Sequence, residues 1–373
     1  MSRAFYDVAR PLLFKLDAER AHGLSVEALK RGLVPRRNRP IDPRLRTDVA
    51  GLSFPNPLGL AAGYDKNAEV PDAALRLGFG FVEIGTVTPL PQEGNSKPRV
   101  FRLPEVSAVI NRLGFNNHGH ADVAERLEAR SRKAGIVGVN IGANKDAQDR
   151  IADYVAGIHR FEALSSYLTV NISSPNTPGL RKLQQGSDLD RLLEFVMAAR
   201  DGAAAIAATK RRPVFLKVAP DLSEDEIWAI ADTAKHRKVE GLIVSNTTLS
   251  RHGVEGRMHA DEAGGLSGRP VFDRSTYVLA MFRRAMGPDV PLIGVGGVEN
   301  ASTFLRKMEA GADLVQLYTA LVYRGPGLPI RILNDLSRHL DRAGIDTIAS
   351  VRDSRVDEIL SGGPPLGWEV RRP

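Results

Sequence analysis

The chain has 373 residues, a formal net charge of +7, 43% hydrophobic and 25% charged residues, and no cysteine. These are the proportions of a globular protein able to bury a large core, as one big domain or two ordinary ones. The missing cysteines exclude disulfides, thiolate metal sites, iron–sulfur clusters and cysteine nucleophiles. No metal site is expected. No run is long or apolar enough to span a bilayer, and Asp7, Arg10, Lys15 and Asp17 interrupt any secretory-signal centre. The expected location is the cytoplasm or its membrane face. Before residue 40 the chain carries Arg3, Arg10, Lys15, Arg20, Lys30, Arg31, Arg36, Arg37 and Arg39 against Asp7, Asp17, Glu19 and Glu27. That excess suits nucleic acid, an anionic membrane surface or simple solubility. Few aromatics interleave with it, so nucleic acid ranks last.

Residues 2–16 place Phe5, Val8, Leu12, Leu13 and Leu16 among basic residues at near-helical spacing, with Pro11 expected to limit or kink the helix. Asp17 reads as the N-cap of a second helix ending near Gly32, and 35–40 reads as a linker. Residues 1–40 thus form a helical hairpin, either packed on the core for stability or lying at a membrane interface. From about residue 45, short apolar strands alternate with helical runs. The strands are 58–62, 81–85, 136–141, 167–171, 214–218, 241–245, 292–295 and 314–317; the helices include 71–77, 147–164, 188–210, 224–235, 274–286 and 301–310. Eight such units imply an α/β fold, a closed (β/α)8 TIM barrel spanning 41–342 with its active groups at the C-terminal strand ends. The alternative is an open doubly wound sheet, but no clear G-x-G-x-x-G follows the first strand. The long connection from Gly85 to Ile136 is expected to carry a hairpin over the barrel mouth. The last barrel helix should end near Arg342, leaving 343–373 as a cap or a partly disordered tail.

The strand ends carry the chemistry. Strand four, Tyr167-Leu168-Thr169-Val170, leads into Asn171-Ile172-Ser173-Ser174-Pro175-Asn176-Thr177-Pro178-Gly179-Leu180. Prolines restrict this loop, and it offers amides and a hydroxyl that could grip a flat polar ring and move a proton; read alone, it is an ordinary turn. Strand one ends in Ala61-Ala62-Gly63-Tyr64-Asp65-Lys66, small enough for a flat ring to approach the backbone, with Lys66 for a carboxylate. Strand two gives Thr86, strand three Asn140, strand six Ser245-Asn246-Thr247 and strand eight Tyr318-Thr319. Lys217 ends strand five, and a buried cation there needs an anion. Gly296-Gly297, with Gly264-Gly265-Leu266-Ser267-Gly268-Arg269-Pro270, lies where such barrels hold phosphate on backbone N–H groups. Together these features would hold flavin mononucleotide (FMN), with Lys217 near the pyrimidine edge of the flavin. Four asparagines, Asn111, Asn171, Asn176 and Asn246, converge on the same mouth. Amides match the rim of a cyclic urea or imide, so the implied substrate is a pyrimidine-like carboxylic acid.

The Asn171–Leu180 stretch, with Asn111-Arg112-Leu113-Gly114-Phe115-Asn116-Asn117, Gly85-Thr86-Val87-Thr88, the Gly264-to-Pro270 run and Gly294-Val295-Gly296-Gly297, resembles the dihydroorotate dehydrogenase family. The likeness is to its membrane-associated, quinone-using class 2 branch and runs from about residue 3 to about residue 340. The resemblance implies a (β/α)8 barrel with FMN that oxidises dihydroorotate to orotate in pyrimidine synthesis and passes electrons to a membrane quinone. It makes Ser174 the catalytic base. Lys66, Asn111, Arg112, Leu113, Gly114, Phe115, Asn171, Asn176, Asn246 and Thr247 would bind substrate. Ala61, Ala62, Gly63, Thr86, Asn140, Asn171, Lys217, Ser245, Gly268, Gly297, Tyr318 and Thr319 would contact FMN. The family's other branch uses a cysteine base, which this chain lacks. The resemblance also implies a quinone tunnel under the N-terminal helices, with the apolar face of Phe5, Leu12, Leu13 and Leu16 on lipid. His22 and Arg102 stand near that tunnel or serve structural roles. The location becomes the cytoplasmic side of the cell inner membrane, as a peripheral protein. Tyr64, Asn67 and the tail depart from the family pattern. A flavin barrel acting on uracil in RNA, and a membrane-surface protein without turnover, are the competing readings.

Overall fold

The structure, a computed structural model, describes residues 3–33 and 41–368. The expected linker at 35–40 and the tail after Trp368 lie outside the described residues. Eight strands form the barrel: β1 (Leu58–Leu60), β2 (Phe81–Val87), β3 (Ile136–Ile141), β4 (Tyr167–Asn171), β5 (Val214–Val218), β6 (Gly241–Val244), β7 (Leu292–Val295) and β8 (Leu314–Leu317). Each pairs in parallel with its successor in the chain, and β8 pairs with β1 to close the ring. The closed barrel is the expected fold, with three strand ends moved: β1 stops at Leu60, β2 runs on to Val87 and β6 stops at Val244.

Register explains how the barrel fills. Gly59 pairs with Phe81, Gly138 with Tyr167 and Gly241 with Phe215. A methyl group on each glycine would fall 2.3, 2.1 and 2.5 Å from the paired ring. Each glycine therefore vacates the space that the aromatic ring opposite it occupies. The rings stack edge to face in a row, Phe54–Phe81 at 5.2 Å, Phe81–Tyr167 at 6.3 Å and Tyr167–Phe215 at 5.4 Å. The antiparallel hairpin Thr47–Val49 with Leu52–Phe54 adds Val49 and Phe54 to this cluster. The barrel is plugged by aromatic packing, and the C-terminal strand ends are left for a site.

Around the barrel run α3 (Pro71–Arg76), α4 (Gly119–Ala129), α5 (Arg150–Phe161), α6 (Gly186–Ala207), α7 (Glu224–His236), α8 (Phe272–Met286), α9 (Ala301–Glu309), α10 (Thr319–Arg324) and α11 (Leu328–Ala343). Capping boxes start α7 (Ser223 with Glu226) and α9 (Asn300 with Thr303). The long connection holds the expected hairpin, Val100–Leu103 with Ala108–Asn111, and also α4. Gly265–Gly268, read as a glycine-rich loop, is the third strand of this small antiparallel sheet.

At the N-terminus α1 (Arg3–Lys15) continues through Pro11 instead of stopping there. α2 (Ala18–Lys30) is capped by Asp17, whose side chain accepts the Arg20 N–H, and buries Val26 and Leu29. α1 is tied to α10 by Tyr6 Oη donating to the Val322 carbonyl at 2.6 Å and by Arg10 donating to the Tyr323 carbonyl at 3.1 Å. Its apolar residues divide: Val8 and Leu12 are 77% and 67% exposed, whereas Leu13 and Phe14 turn inward to line a cavity. The single outward face expected of Leu12, Leu13 and Leu16 is thus two faces; the Phe5 side chain lies outside the described residues. The described part of the tail is a packed cap. Ile348, Val351 and Leu360, the last on α12 (Val356–Ser361), join the core. Arg352 and Arg283 both pair with Asp313, at 2.6 and 2.8 Å, and Trp368 stacks on Tyr277.

On propensity alone, alanine is favoured over glycine in a strand by roughly 0.5–1 kcal/mol. Because the Gly138 site is filled by the Tyr167 ring, Gly138→Ala should instead destabilise by about 1–3 kcal/mol, the usual cost of overpacking. Equilibrium denaturant unfolding checks the sign.

Candidate active site

A cavity of about 480 Å³ opens at the C-terminal strand ends and runs outward between α1 and α2. That volume is in the range that small-molecule sites occupy. Its inner end is a cup. Ala61, Ala62 and Gly63 line one wall, Lys217, Ser245, Asn246 and Thr247 another, and Asn111, Leu113, Gly114 and Phe115 come down from the small sheet and its following turn. Thr86, Asn171, Ser174, Asn176 and Lys66 complete it, while Gly268, Gly297, Tyr318 and Thr319 line the far corner. Two expected site residues are absent from the lining. Arg112 stands just past the strand that ends at Asn111 and turns out of the cup. It pairs with Glu262 at 2.7 Å and lies over the Phe101 ring. Asn140 lies one layer below, fully buried.

Beneath the cup is a residue the sequence reading missed. Glu83 sits in the middle of β2 with no exposed surface. One oxygen accepts from Asn140 Nδ2 at 2.7 Å; the other accepts from Gln316 Nε2 at 2.9 Å and Tyr167 Oη at 3.2 Å. Lys217 Nζ lies 3.9 Å from Glu83 Oε1, so this carboxylate is the anion the buried lysine requires. Burial draws the Lys217 pKa down and Glu83 opposes it. Asn140 then accepts from Thr86 Oγ1 at 2.5 Å and from Asn171 Nδ2 at 3.2 Å. Asn171 Oδ1 in turn accepts from Asn246 Nδ2 at 3.3 Å. One chain of hydrogen bonds thus orients amides on β3, β4 and the loop after β6 from a single carboxylate. A charged residue inside the run Phe81-Val82-Glu83-Ile84-Gly85 was the available signal.

The loop after β4 is held from below. Arg181 donates to the Ser173 carbonyl at 3.1 Å and the Thr247 carbonyl at 3.1 Å, and pairs with Asp221 at 2.9 Å. This clamp, also missed, ties the serine loop to the Asn246-Thr247 loop. Ser174 is 5% exposed and faces the cavity; its Oγ accepts the Asn176 N–H at 3.2 Å. Asn176 Nδ2 reaches Asn111 Oδ1 at 3.4 Å, so three loops meet around the serine.

Lys66 faces this cavity without a committed partner. Glu19, the acid acting most strongly on it, is bound to Arg99 at 2.6 and 2.9 Å. Desolvation draws Lys66 down to about 8, which leaves it charged at neutral pH and seeking an anion. Farther out, burial and the nearby Lys66 charge draw His22 down to about 3, so its imidazole is neutral. Its Nδ1 lies 3.3 Å from Tyr318 Oη, and its ring meets Tyr64 edge to face at 5.1 Å. Arg102 also lines the cavity and donates to the carbonyls of Leu13, Phe14 and Leu16 at the end of α1. Asn67 turns away to accept the His118 N–H at 2.9 Å.

A closed (β/α)8 barrel with a sheltered cup of amides, hydroxyls and two lysines defines a barrel of enzymatic design. The comparisons name the family. The dihydroorotate dehydrogenase family model matches residues 44–340. A dihydroorotate dehydrogenase (quinone) of Allorhizobium ampelinum is 62% identical over 353 residues, 95% of this chain and 97% of that protein. The one from Brucella anthropi is 61% identical, covering 95% and 96%. Among solved structures, the Eimeria tenella enzyme, with ferulenol and ligand-free, superposes with a TM-score of 0.87 at 38% identity, covering 91% of this chain and 95% and 99% of those chains. The chain belongs to the dihydroorotate dehydrogenase family, in its class 2 branch.

The free charge on Lys66 has a measurable signature. A carboxylate ligand needs the ammonium, which is lost as pH rises through about 8. Its affinity should be level below that pH and fall by about tenfold per unit above it. In Lys66→Met it should be weak and level throughout; ligand titration across pH checks this.

Proposed function

We propose that this chain is an FMN-dependent dihydroorotate dehydrogenase that oxidises (S)-dihydroorotate to orotate and delivers the electrons to a membrane quinone. The observation that carries the reading is the cup: Ser174, Lys66 and the asparagines face one enclosed space whose floor is Lys217. The residues present fit FMN. Gly63 leaves open a face where an added Cβ would stand 3.8 Å from the Tyr318 ring. Gly268 and Gly297 adopt φ of +97° and +72° at the far corner, beside Thr319, and a Cβ on either would collide with its neighbours. That corner is a backbone cradle for phosphate. Thr86, Asn171, Ser245 and Lys217 would meet the ring system, and Asn140 would act through Thr86 and Asn171. When bound, FMN supplies the acceptor for the hydride that leaves C6 of dihydroorotate.

Lys66 holds the substrate carboxylate, and Asn111, Asn176, Asn246 and Thr247 engage the rim of the ring, where each amide offers both donor and acceptor. Leu113, Gly114 and Phe115 cover the ring, while Arg112 braces their turn from outside. Ser174 Oγ would take the C5 proton as its own hydroxyl proton passes on through a hydrogen-bonded relay. A serine is a weak base, so its effect comes from position and from exclusion of water. Lys217 would stabilise negative charge at the flavin pyrimidine edge, and Glu83 opposes the burial that draws that lysine's pKa down. The quinone enters along the outer arm of the cavity, past Tyr6, Leu13, Phe14 and His22. No helix among the described residues is long and apolar enough to cross a membrane. Val8 and Leu12, with Leu24 at 49% exposed and Leu33 at 63%, form the surface that rests on lipid. On this reading the protein has three parts, the 1–40 membrane and quinone-access element, the 41–342 barrel and the 343–373 tail. It is peripheral to the cytoplasmic side of the inner membrane.

Anaerobic spectra test the reading. Dihydroorotate should bleach the flavin absorbance and a quinone should restore it; a flavin untouched by dihydroorotate overturns it. Ser174→Ala should slow the bleaching by about 10²-fold or more, the lower end of what a positioned base contributes. Deleting α1 should leave bleaching by dihydroorotate in place while turnover with a lipophilic quinone collapses. Undiminished quinone turnover would remove the helices from that role.

A further inference from the structure

Lys307 of α9 has no exposed surface, and none of the steps above uses it. Its Nζ lies 2.6 Å from Ser275 Oγ and 5.1 Å from the centre of the Phe272 ring, both on the first turn of α8. The same two residues press on the Gly296-Gly297 turn from behind. Ser275 Oγ is 3.3 Å from the Gly296 carbonyl oxygen. A Cβ on Gly296 would fall 2.6 Å from Ser275 Oγ, and one on Gly297 would fall 2.5 Å from Phe272 Cβ. The turn therefore stands against a buried amine through one hydroxyl and one ring, with its other side forming the cavity corner beside Gly268 and Thr319.

The hydrogen-bond rules make the amine's charge matter. An ammonium only donates. Ser275 must then accept from it, and its own proton is free for the Gly296 or Phe272 carbonyl. A neutral amine can accept, which turns the Ser275 proton away from the turn. Burial draws the Lys307 pKa far down, and Asp273, also on α8, is the charged group that opposes this. β7 and β8, which back α9, carry no titratable side chain. α11 brings Asp335, Arg338, His339 and Arg342 into the open groove on the outer side of α9, where they meet Arg306, Glu309 and Arg355. Arg352 and Asp353 are engaged with Asp313 and Arg283.

We propose that Lys307 is a positioning residue for the phosphate end of the flavin: its ammonium, seated on Ser275, locks the Gly296-Gly297 turn in its binding form, and the bound phosphate keeps the proton on Lys307. This rests on the FMN reading above. The coupling is reciprocal, so losing the proton must loosen the phosphate. The test follows FMN release from the purified full-length holoenzyme by the rise in flavin fluorescence after dilution, across pH 5 to 10. Wild type should release FMN faster at the alkaline end by about 5–150-fold, the usual range of coupling between two sites; a flat wild-type profile overturns the proposal. Lys307→Met should release it fast throughout. Ser275→Ala keeps the lysine but removes the bridge, and should lose most of the pH response; it decides the matter if Lys307→Met does not fold. Slow release with the wild-type pH response in either variant overturns the proposal. A wild-type protein that carries no FMN and takes none up would sink the FMN reading itself, a result separable from the other two.

Discussion

A carboxylate with no exposed surface dictates the arrangement at the barrel mouth. Glu83 cannot stay buried unless its oxygens are met by donors, and it is met by Asn140, Gln316 and Tyr167, with the Lys217 charge close by. Removing one partner of such a group typically costs about 3–5 kcal/mol. The donors cannot drift, and what they hold cannot drift either. Asn140 positions Thr86 and Asn171, and Asn171 positions Asn246. Amides that look like independent strand-end residues are one connected array, and that array gives the cup defined directions for its donors and acceptors.

Two kinds of glycine build the molecule, and they do different work. Gly59, Gly138 and Gly241 lie inside the barrel wall, where their missing side chains admit the rings of Phe81, Tyr167 and Phe215. They fill the lower barrel and so confine any site to the upper rim. Gly268, Gly296 and Gly297 lie at the rim in the positive-φ region. There the missing side chains let Ser275, Phe272 and the Ser107 carbonyl pack close against the turns that line the cavity corner. The first set makes the barrel solid and the second shapes one edge of its mouth.

The barrel was legible in the sequence because parallel strands buried on both faces read as short β-branched runs, and all eight were found within a few residues. Most site residues were legible because the loops after those strands are polar where a turn needs only a glycine or a proline. The failures have physical causes. Arg112 adjoins Asn111 in one motif, yet it stands just past the end of the strand and leaves the cup for Glu262. Asn140 was assigned to the surface of the cup, but its depth along β3 is set by barrel stagger, which no single strand reveals. Glu83 acts across the fold on β3, and its one local sign is a charge inside an apolar run; Arg181 acts on the loop after β6, a contact that leaves no local pattern. Pro11 sits within α1 without ending it, because the contacts of Tyr6 and Arg10 with α10 support the helix from outside.

The N-terminal helices complete the same design by controlling water. Lys66 and His22 both have pKa values lowered chiefly by desolvation, although they line a cavity. Those shifts require walls that keep bulk solvent out, and α1 and α2 are those walls on the outer side. Their placement has two effects. The enclosure strengthens every charge interaction in the cup, as low-dielectric surroundings do. It also leaves an entry lined by Leu13, Phe14 and the neutral His22 ring, where Arg102 is spent on the carbonyls at the end of α1. Because the helices are tied down at Tyr6, Arg10 and Arg102 while Val8 and Leu12 stay bare, the same two turns of helix seal the cup and present an apolar patch to the outside. An acceptor arriving from that side would therefore reach the cup without opening it to water.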